Sequence, residues 1–252
     1  MNIDGYELLE RLNHGPEVDV YDAWSEERGC RCVLKTTAPE ADAAAARRLR
    51  AEGRLLLSLT HPHIVRAYEL LTVGGAPVLV LETLGGATLS WIVREGGIRL
   101  KPGDLQQLGL QLCSAVGYLH RRGRLHLDLK PSNVISENGI ARVIDLNLAR
   151  RPGRVPAGYG TAQYLAPEQA RGGRVDAAAD VWGIGATLFA AATGRRPFDA
   201  TGREQLDRRA EPLRRVRRGL PRAFTEVVDG CLEPDRNDRP ALSDLEAELD
   251  AV

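Results

Sequence analysis

The residues with the clearest chemical potential lie in two short segments, HLDLKPSN and DLN, which a short apolar stretch separates. Asp128 is a carboxylate that could accept a proton from an attacking hydroxyl, and Lys130 follows two residues later. Asn133 and Asp145 offer the oxygen ligands that Mg²⁺ prefers. Because phosphoryl transfer depends on positioning and charge neutralisation, this spacing predicts a phosphoryl-transfer site with a base, a lysine and a magnesium site.

Lysine is rare in this chain, and its positions are informative. Of the 34 basic residues only Lys35, Lys101 and Lys130 are lysine, and the rest are arginine. A lysine ammonium is a compact point charge that suits phosphate, whereas an arginine is a planar fork. Two of the three lysines, Lys35 and Lys130, therefore stand where a phosphotransferase would use them, although chance alone could also leave them there.

Composition and charge exclude several other classes of protein. The 252-residue chain has a net charge of zero and no apolar run near the roughly 18 to 20 residues of a membrane span, so nothing favours nucleic acid or a membrane surface. Its acidic first residues, MNIDGYELLE, lack the pattern of a signal peptide, and four scattered cysteines are too few for a disulfide framework. We therefore expect a cytoplasmic protein without nucleic-acid or membrane partners.

The apolar pattern changes character at Gly85-Gly86. Before this point, short strands surround one helix predicted over 40–59, which Pro62 would end. After it, helices dominate, among them Pro102–His120 and the very apolar Asp180–Thr193, and Asn138-Gly139 predicts a hairpin. This order predicts an α+β fold with the site in the groove between the two parts. The early strands are predicted at Tyr6–Leu12, Val18–Trp24, Cys30–Lys35, Ile64–Leu71 and Pro77–Leu81.

With these motifs in order, the chain resembles a eukaryotic-type (Hanks-type) protein kinase, specifically a compact bacterial serine/threonine kinase, over nearly its whole length. The resemblance implies one bilobal catalytic domain, 1–252, with a β-rich N-lobe at 1–82 and a mainly helical C-lobe at 83–252. The C-lobe would include an activation segment at 145–168. The implied reaction moves the γ-phosphoryl group of ATP, with Mg²⁺ or Mn²⁺, to serine or threonine hydroxyls of protein substrates.

The resemblance also gives the candidate residues their roles. Asp128 resembles the catalytic base, and Lys130 resembles the lysine typical of serine/threonine rather than tyrosine kinases. Thr161, in GTAQYLAPE, is expected to hydrogen-bond near both. Asn133 and Asp145 resemble the two metal ligands.

A second group of residues is implied to bind the nucleotide. Lys35 resembles the lysine that contacts the α- and β-phosphates, and Glu52 resembles the glutamate that pairs with it. On a solvated helix face, Arg48 could pair with Glu52 instead. The nucleotide is further expected to contact Leu12, Gly15, Val20, Val33 and Leu81, with backbone groups of Glu82 and Leu84 at the adenine edge.

Two contacts are implied to hold the site together. Glu168 resembles the glutamate that forms a buried ion pair with a late arginine, here Arg239 in NDRP. Asp180, in DVWGIG, resembles the aspartate that binds the backbone of the catalytic loop. Both contacts would be structural rather than chemical.

The loop that would cover the phosphates departs from the pattern GxGxxGxV. In NHGPEVDV only Gly15 remains, because Asn13 and Val18 replace the other glycines, and Pro16 has no amide hydrogen to donate. Glycines in such loops let backbone donors approach phosphate closely. The departure predicts weaker nucleotide binding and keeps open an alternative function, a pseudokinase scaffold. The intact catalytic candidates oppose this alternative: Lys35, Glu52, Asp128, Asn133 and Asp145.

A second departure concerns regulation. Leu127 stands where many family members have an arginine that contacts a phosphate on the activation loop. The segment 146–160 contains no serine or threonine, and Tyr159 carries its only side-chain hydroxyl. We therefore predict that activity does not depend on phosphorylation of a serine or threonine in this loop.

A small-molecule kinase of the aminoglycoside or choline type also stays open, because it shares the HxDxxxxN pattern. Lys130 and the GTAQYLAPE segment argue against it. The protein substrates, the activating signal and the oligomeric state are not predicted.

Overall fold

The computed structural model describes residues 3–198 and 204–252, which separate into two units at Gly85 and Gly86. Within these residues, the first unit is a five-stranded antiparallel sheet with one helix, and the second unit is mainly helical with two small sheets. The predicted α+β class is confirmed, because the strand-rich and helix-rich parts occupy separate stretches of the chain.

The first unit contains β1 (Tyr6–His14), β2 (Val18–Ser25), β3 (Cys30–Thr37), α1 (Ala43–Leu57), β4 (Ala67–Val73) and β5 (Ala76–Glu82). The sheet order is β1-β2-β3-β5-β4, with every neighbouring pair antiparallel. Cys32 and Leu34 of β3 pack with Val78 and Val80 of β5 in a buried cluster on one face. Because residues alternate along a strand, Lys35 lies on the opposite face.

Helix α1 lies on the face that carries Lys35, and local signals define its ends. Asp42 caps the helix by accepting a hydrogen bond from the backbone N–H of Ala45 at 2.7 Å. Gly53 permits close packing, since a Cβ there would lie 2.9 Å from a methyl carbon of Leu70. The expected span of 40–59 is therefore too long, and Pro62 is not what ends the helix, because Ser58 already follows its last turn.

The predicted strands of the first unit are present with shifted ends. The strand expected at Ile64–Leu71 runs from Ala67 to Val73, and the two residues that follow it, Gly74 and Gly75, have φ of +57° and +85°. Glycine adopts positive φ without steric penalty, so this pair turns β4 directly into β5.

The second unit contains β6 (Ala87–Thr88), a π-helix (Trp91–Glu95), α2 (Pro102–Arg121), β7 (Val134–Glu137), β8 (Ile140–Val143), β9 (Gly153–Val155), α3 (Pro167–Arg171), β10 (Gly173–Val175), α4 (Ala177–Thr193), α5 (Glu204–Asp207), α6 (Leu213–Val216), α7 (Arg222–Cys231) and α8 (Leu242–Asp250). Helix α4 is buried along nearly its whole length, as its apolar sequence predicts. Gly185 lets α7 approach it, because a Cβ there would lie 2.4 Å from the Cβ of Cys231. Among the described residues, no helix has the length and apolar content needed to cross a bilayer.

The predicted hairpin at Asn138-Gly139 is confirmed, and it positions both candidate metal ligands. Asn138 and Gly139 have φ of +51° and +81°, as a tight two-residue hairpin turn requires. The side chain of Gln111 on α2 fixes the hairpin, since it donates to the carbonyl of Gly139 at 2.9 Å and accepts from the N–H of Ala141 at 2.6 Å. As a result β7 starts directly after residue 133, and β8 ends just before residue 145.

The four cysteines are free thiols. Burial raises the pKa of the Cys32 thiol to about 11 and that of Cys113 to about 12. A protonated thiol is a poor nucleophile and a poor metal ligand, so neither cysteine contributes such chemistry at neutral pH.

Candidate active site

A buried carboxylate fixes the start of the HLDLKPSN loop, residues 126–133. Asp180 of α4, whose side chain is fully buried, accepts hydrogen bonds from the backbone N–H groups of His126 and Leu127, each at 2.8 Å. The Nε2 atom of His120, at the end of α2, lies 2.7 Å from the same carboxylate. The expected contact between Asp180 and the loop backbone is present, and His120 is a partner that the sequence did not reveal.

Leu127 holds an unusual backbone conformation at the centre of this arrangement. It has φ of +64° and is almost fully buried. A positive φ costs a non-glycine residue roughly 1 to 2 kcal/mol, and it persists only where the surroundings enforce it. Asp180 holds the N–H of Leu127, and the side chain of Gln169 donates to its carbonyl oxygen at 2.8 Å. The backbone that leads into Asp128 is therefore held from both sides.

Asp128, Lys130 and Thr161 form a closed triangle of hydrogen bonds. The hydroxyl of Thr161 donates to Oδ1 of Asp128 at 2.6 Å, and Nζ of Lys130 donates to Oδ2 of Asp128 at 2.8 Å. Nζ of Lys130 also lies 2.6 Å from the Thr161 hydroxyl. Asp128 and Lys130, which the sequence groups by chemistry, and Thr161, which the family resemblance adds, are thus brought together. The charge-assisted hydrogen bond from Lys130 and the bond from Thr161 orient the Asp128 carboxylate.

Asn133 and Asp145 end up on neighbouring segments. The backbone N–H of Ile144 donates to the carbonyl oxygen of Asn133 at 3.0 Å, which joins the two segments. The Nδ2 atom of Asn133 donates to the carbonyl oxygen of Asp128 at 3.0 Å, so its Oδ1 atom is the part that could face a cation. The N–H of Asn147 donates to Oδ1 of Asp145 at 3.2 Å, which holds the turn after that carboxylate.

This donor set fits Mg²⁺. Both side chains supply hard oxygen ligands, and Mg²⁺ is usually held by one or two protein carboxylates together with substrate phosphates and water. Within residues 3–198 and 204–252 there is no cluster of three or more His, Cys, Asp or Glu side chains that could hold a metal without such help. A metal bound here would therefore complete its coordination with phosphate oxygens and water.

In the first unit, Lys35 and Glu52 form a two-point ion pair. Nζ of Lys35 on β3 lies 2.9 Å and 2.8 Å from the two carboxylate oxygens of Glu52 on α1, and the Glu52 side chain is almost fully buried. The alternative partner, Arg48, instead lies 2.7 Å from Glu17. The predicted pairing of Lys35 with Glu52 is therefore the one that forms.

Several residues expected around the nucleotide share one face of the sheet. Lys35 is opposite Val20 of β2, and Val33 is opposite Leu81 of β5. Directly opposed residues of an antiparallel pair project to the same side, and residues two apart on one strand do so as well. Val20, Val33, Lys35 and Leu81 thus lie on the side of the sheet opposite the buried cluster around Leu34.

The pairing of strands does not place the remaining nucleotide candidates, Leu12, Glu82 and Leu84, beside Lys35. Leu12 is exposed at an irregular point of β1. Glu82 ends β5 and exchanges two hydrogen bonds with Arg66, since its N–H donates to the Arg66 carbonyl at 3.0 Å and its carboxylate accepts the Arg66 N–H at 2.8 Å. Leu84 is half-buried just beyond the strand. Nucleotide contacts by these three residues, as by all the other nucleotide candidates, stay a prediction.

The β1–β2 turn, residues 14–18, already uses its one glycine amide. The N–H of Gly15 donates to the carbonyl oxygen of Val18 at 3.1 Å. The exposed ring of His14 bonds through Nδ1 to the buried carboxylate of Asp19 at 2.6 Å. Since Pro16 has no amide hydrogen, this turn has few backbone donors to offer a phosphate.

Backbone hydrogen bonds, a strand pairing and a cation–π contact hold the segment 146–160. Leu125 and Arg150 exchange two backbone hydrogen bonds at 2.7 and 3.0 Å. Further along, β9 pairs with β10 in antiparallel register. The hydroxyl of Tyr159 donates to the carbonyl of Leu148 at 3.3 Å, and the guanidinium of Arg150 lies 5.5 Å from the centre of the Tyr159 ring. Neutral and cation–π contacts thus order this segment.

Glu168 and Arg239 form the expected ion pair. The two guanidinium nitrogens of Arg239 bind the two carboxylate oxygens at 2.8 and 2.9 Å, and the Arg239 side chain is fully buried. The guanidinium also lies 4.9 Å from the centre of the Trp182 ring. Breaking such a buried pair leaves an uncompensated charge, so the contact anchors α3 to the last part of the chain.

Gln169 is the main participant that sequence reasoning missed. Its buried amide joins the HLDLKPSN loop to the 146–160 segment, because its nitrogen donates to the carbonyls of Leu127 at 2.8 Å and of Tyr159 at 2.7 Å. A glutamine inside the run PEQAR gives no local sign of these distant contacts.

Comparison with known proteins agrees with this geometry. A family model described as the protein kinase domain matches residues 6–248. The chain is 34% identical to serine/threonine-protein kinase PkaA of Streptomyces coelicolor, with 96% of this chain and 46% of that protein covered. It is 32% identical to probable serine/threonine-protein kinase PknB of Bifidobacterium longum, with 94% and 38% covered, and 31% identical to serine/threonine-protein kinase pkn2 of Myxococcus xanthus, with 94% and 31% covered. The chain spans less than half the length of each relative. It belongs to the protein kinase domain family.

Proposed function

We propose that the chain is a serine/threonine protein kinase that moves the γ-phosphoryl group of Mg-ATP to hydroxyl groups of protein substrates. The observation that carries this proposal is the triangle of Asp128, Lys130 and Thr161, next to the paired segments of Asn133 and Asp145. The names of the relatives, all of them serine/threonine kinases, support the choice of acceptor.

The chain's own residues would divide the work of phosphoryl transfer. Asp128 would accept or orient the proton of the acceptor hydroxyl, at a hydrogen-bond distance of roughly 2.6 to 3.2 Å. Lys130 would offset negative charge on the moving group, and Lys35, held by Glu52, would do the same for the other phosphates. The carboxylate of Asp145 and the amide oxygen of Asn133 would hold the divalent metal. When bound, that metal would neutralise phosphate charge and orient the oxygens.

We further propose that this activity does not require phosphorylation of a loop serine or threonine. Leu127 is buried and apolar where an arginine would be needed to bind a phosphate. The segment 146–160 offers no serine or threonine to modify, and its contacts with Leu125 and Gln169 are made without one. In a chain that carries no phosphate, the segment 146–160 would therefore already be ordered.

The test is transfer of labelled γ-phosphate from ATP to a generic protein acceptor in the presence of Mg²⁺. Wild-type protein should label the acceptor, and Asp128→Asn should lower the rate by about 100- to 10,000-fold, the usual range for losing a general base. Asp250→Asn, an exposed aspartate at the end of α8, is the matched control and should label normally. No label with wild-type protein would favour the scaffold reading, and label on a small alcohol but on no protein would favour a small-molecule kinase.

A further inference from the structure

We propose that Gln169 is a positioning residue, whose neutral amide aligns Asp128 and Thr161 by holding the backbones on either side of them. The proposal rests on the proposed function and names how that site is kept in register without a phosphate. Gln169 lies outside the residues that would touch ATP or the acceptor, so it acts through others.

The hydrogen bonds of Gln169 define the orientation of its amide. Its Oε1 atom accepts the N–H of Ala166, the residue that precedes α3, at 3.1 Å. This acceptor role leaves the NH₂ group as the donor to Leu127 and Tyr159, and its two hydrogens match the two carbonyl oxygens. A flipped amide would place its NH₂ group against the Ala166 N–H. All three polar contacts are thus satisfied in one orientation, and Gln169 is only 3% exposed.

The first donor bond stabilises a strained residue. Leu127 has positive φ, and its N–H is already held by Asp180. If the bond from Gln169 were lost, this peptide group would keep only the bond from the Asp128 N–H to Nδ1 of His126 at 3.2 Å, and the Leu127 carbonyl could rotate to relieve the strain. Because this carbonyl belongs to the peptide group that carries the N–H of Asp128, such a rotation would move the base itself.

The second donor bond, from Gln169 to the Tyr159 carbonyl, holds the backbone that leads to Thr161, the partner of Asp128. Tyr159 is followed by Gly160 and then by Thr161, whose hydroxyl donates to Asp128. Gly160 leaves no spare room there, since a Cβ would lie 2.9 Å from the Leu127 carbonyl oxygen and 3.2 Å from the Gln169 nitrogen. One amide therefore sets the separation between the two backbones whose side chains meet at Asp128.

The main test compares Gln169→Glu and Gln169→Met with a matched control, Thr225→Val. Gln169→Glu keeps the shape and the acceptor but loses both donors when ionised and one donor when protonated, whereas Gln169→Met removes all the polar atoms. Thr225 is equally buried in α7, and its hydroxyl donates to the Arg222 carbonyl at 2.8 Å, so removing this hydroxyl reports a generic buried defect. We expect kcat to fall about 10- to 100-fold in both Gln169 variants with KM for ATP within about twofold of wild type, because small misplacements at a reacting centre cost this much.

Hydrogen–deuterium exchange provides a readout that does not need catalysis. In both Gln169 variants, peptides that cover 125–130 and 157–162 should exchange roughly tenfold faster than in wild type, while the rest of the second unit stays unchanged. Thr225→Val should leave both peptides unchanged. If both Gln169 variants kept wild-type exchange in these peptides, or kept kcat within about twofold of wild type, the proposal would be overturned. If wild-type protein transferred no phosphate, the proposed function would fail, and the exchange result would still decide the role of Gln169.

Discussion

The β1–β2 turn and the HLDLKPSN loop are fixed in opposite ways. In the turn, Gly15 bonds to Val18 only three residues away, and the neighbouring side chains are largely exposed. In the loop, the backbone is held by two buried side chains from distant helices, Asp180 of α4 and Gln169 of α3. The loop is thus held by buried side chains of distant helices, whereas the contacts of the turn are its own Gly15–Val18 bond and partners at its surface, such as the exposed pair of Glu17 with Arg48.

This difference predicts that substitutions near the loop and substitutions in the turn change different kinetic constants. The loop carries the groups proposed to act on the transferred phosphoryl group, so disturbing its supports should lower kcat. The turn carries only donors that would bind phosphate in the ground and transition states alike, so changing it should alter KM for ATP.

Among the substitutions that test this comparison, the largest effect is expected from Asp180→Asn. An asparagine offers one acceptor oxygen to the N–H groups of His126 and Leu127 and to His120, and its NH₂ group would face one of these donors. We expect the free energy of unfolding to fall by about 1.5 to 3 kcal/mol, and kcat to fall about 100-fold. Urea unfolding and steady-state kinetics measure both, with Asp250→Asn as the control. A normal kcat would contradict this account, because it would show that the geometry of the HLDLKPSN loop does not depend on Asp180.

A smaller effect is expected from Thr161→Val, which keeps the shape but removes the hydroxyl shared by Asp128 and Lys130. Losing two hydrogen bonds of about 1 kcal/mol each should lower kcat roughly 10- to 50-fold, with little change in KM for ATP. Thr161→Ser retains the hydroxyl and should keep kcat within a few-fold of wild type. If the serine variant were as slow as the valine variant, the methyl group rather than the hydrogen bonds would matter.

Substitutions in the β1–β2 turn should change KM for ATP rather than kcat. Pro16→Gly restores an amide hydrogen and backbone freedom, so one more donor could reach a phosphate, and KM for ATP should fall about two- to fivefold with kcat unchanged. Pro16→Ala restores the amide hydrogen without the backbone freedom of glycine, so its KM for ATP should lie between those of wild-type protein and Pro16→Gly. A change in kcat that exceeded the change in KM would show that the turn also shapes the reacting groups.

The smallest effect is expected from phosphatase treatment. Because the segment 146–160 lacks serine and threonine and is ordered by Leu125 and Gln169, removal of serine and threonine phosphates should change the rate by less than about twofold. Mass spectrometry of the treated protein checks that the phosphates are gone. Loss of most of the activity would contradict this expectation, unless Thr161 or a site outside the loop carried the phosphate.

Local signals in the sequence carry a large part of the fold and of the site. Asn138-Gly139 fixes a hairpin because its backbone preference is local. Asp128, Lys130 and Asn133 lie close together in the folded chain, as their spacing predicts, because the three residues share one short loop. Even the distant partners Thr161 and Arg239 could be predicted, since the family pattern contains them.

The residues that escaped prediction depend on contacts with no local sign. Gln169 and Leu127 are 42 residues apart, and His120 and Asp180 are 60 apart. Neither glutamine in a helix nor histidine at a helix end indicates such a partner by itself. The positive φ of Leu127 could not be foreseen either, because leucine avoids that conformation unless tertiary contacts impose it.

Calorimetric titration with a non-hydrolysable ATP analogue tests most directly whether the chain uses a metal-bound nucleotide. With Mg²⁺ present, wild-type protein and Asp250→Asn should bind the analogue, and binding should weaken when Mg²⁺ is chelated. Asp145→Asn should lose this dependence on Mg²⁺, since it removes the one carboxylate proposed to hold the metal. No heat of binding at millimolar analogue, or equal binding with and without Mg²⁺, would contradict the account.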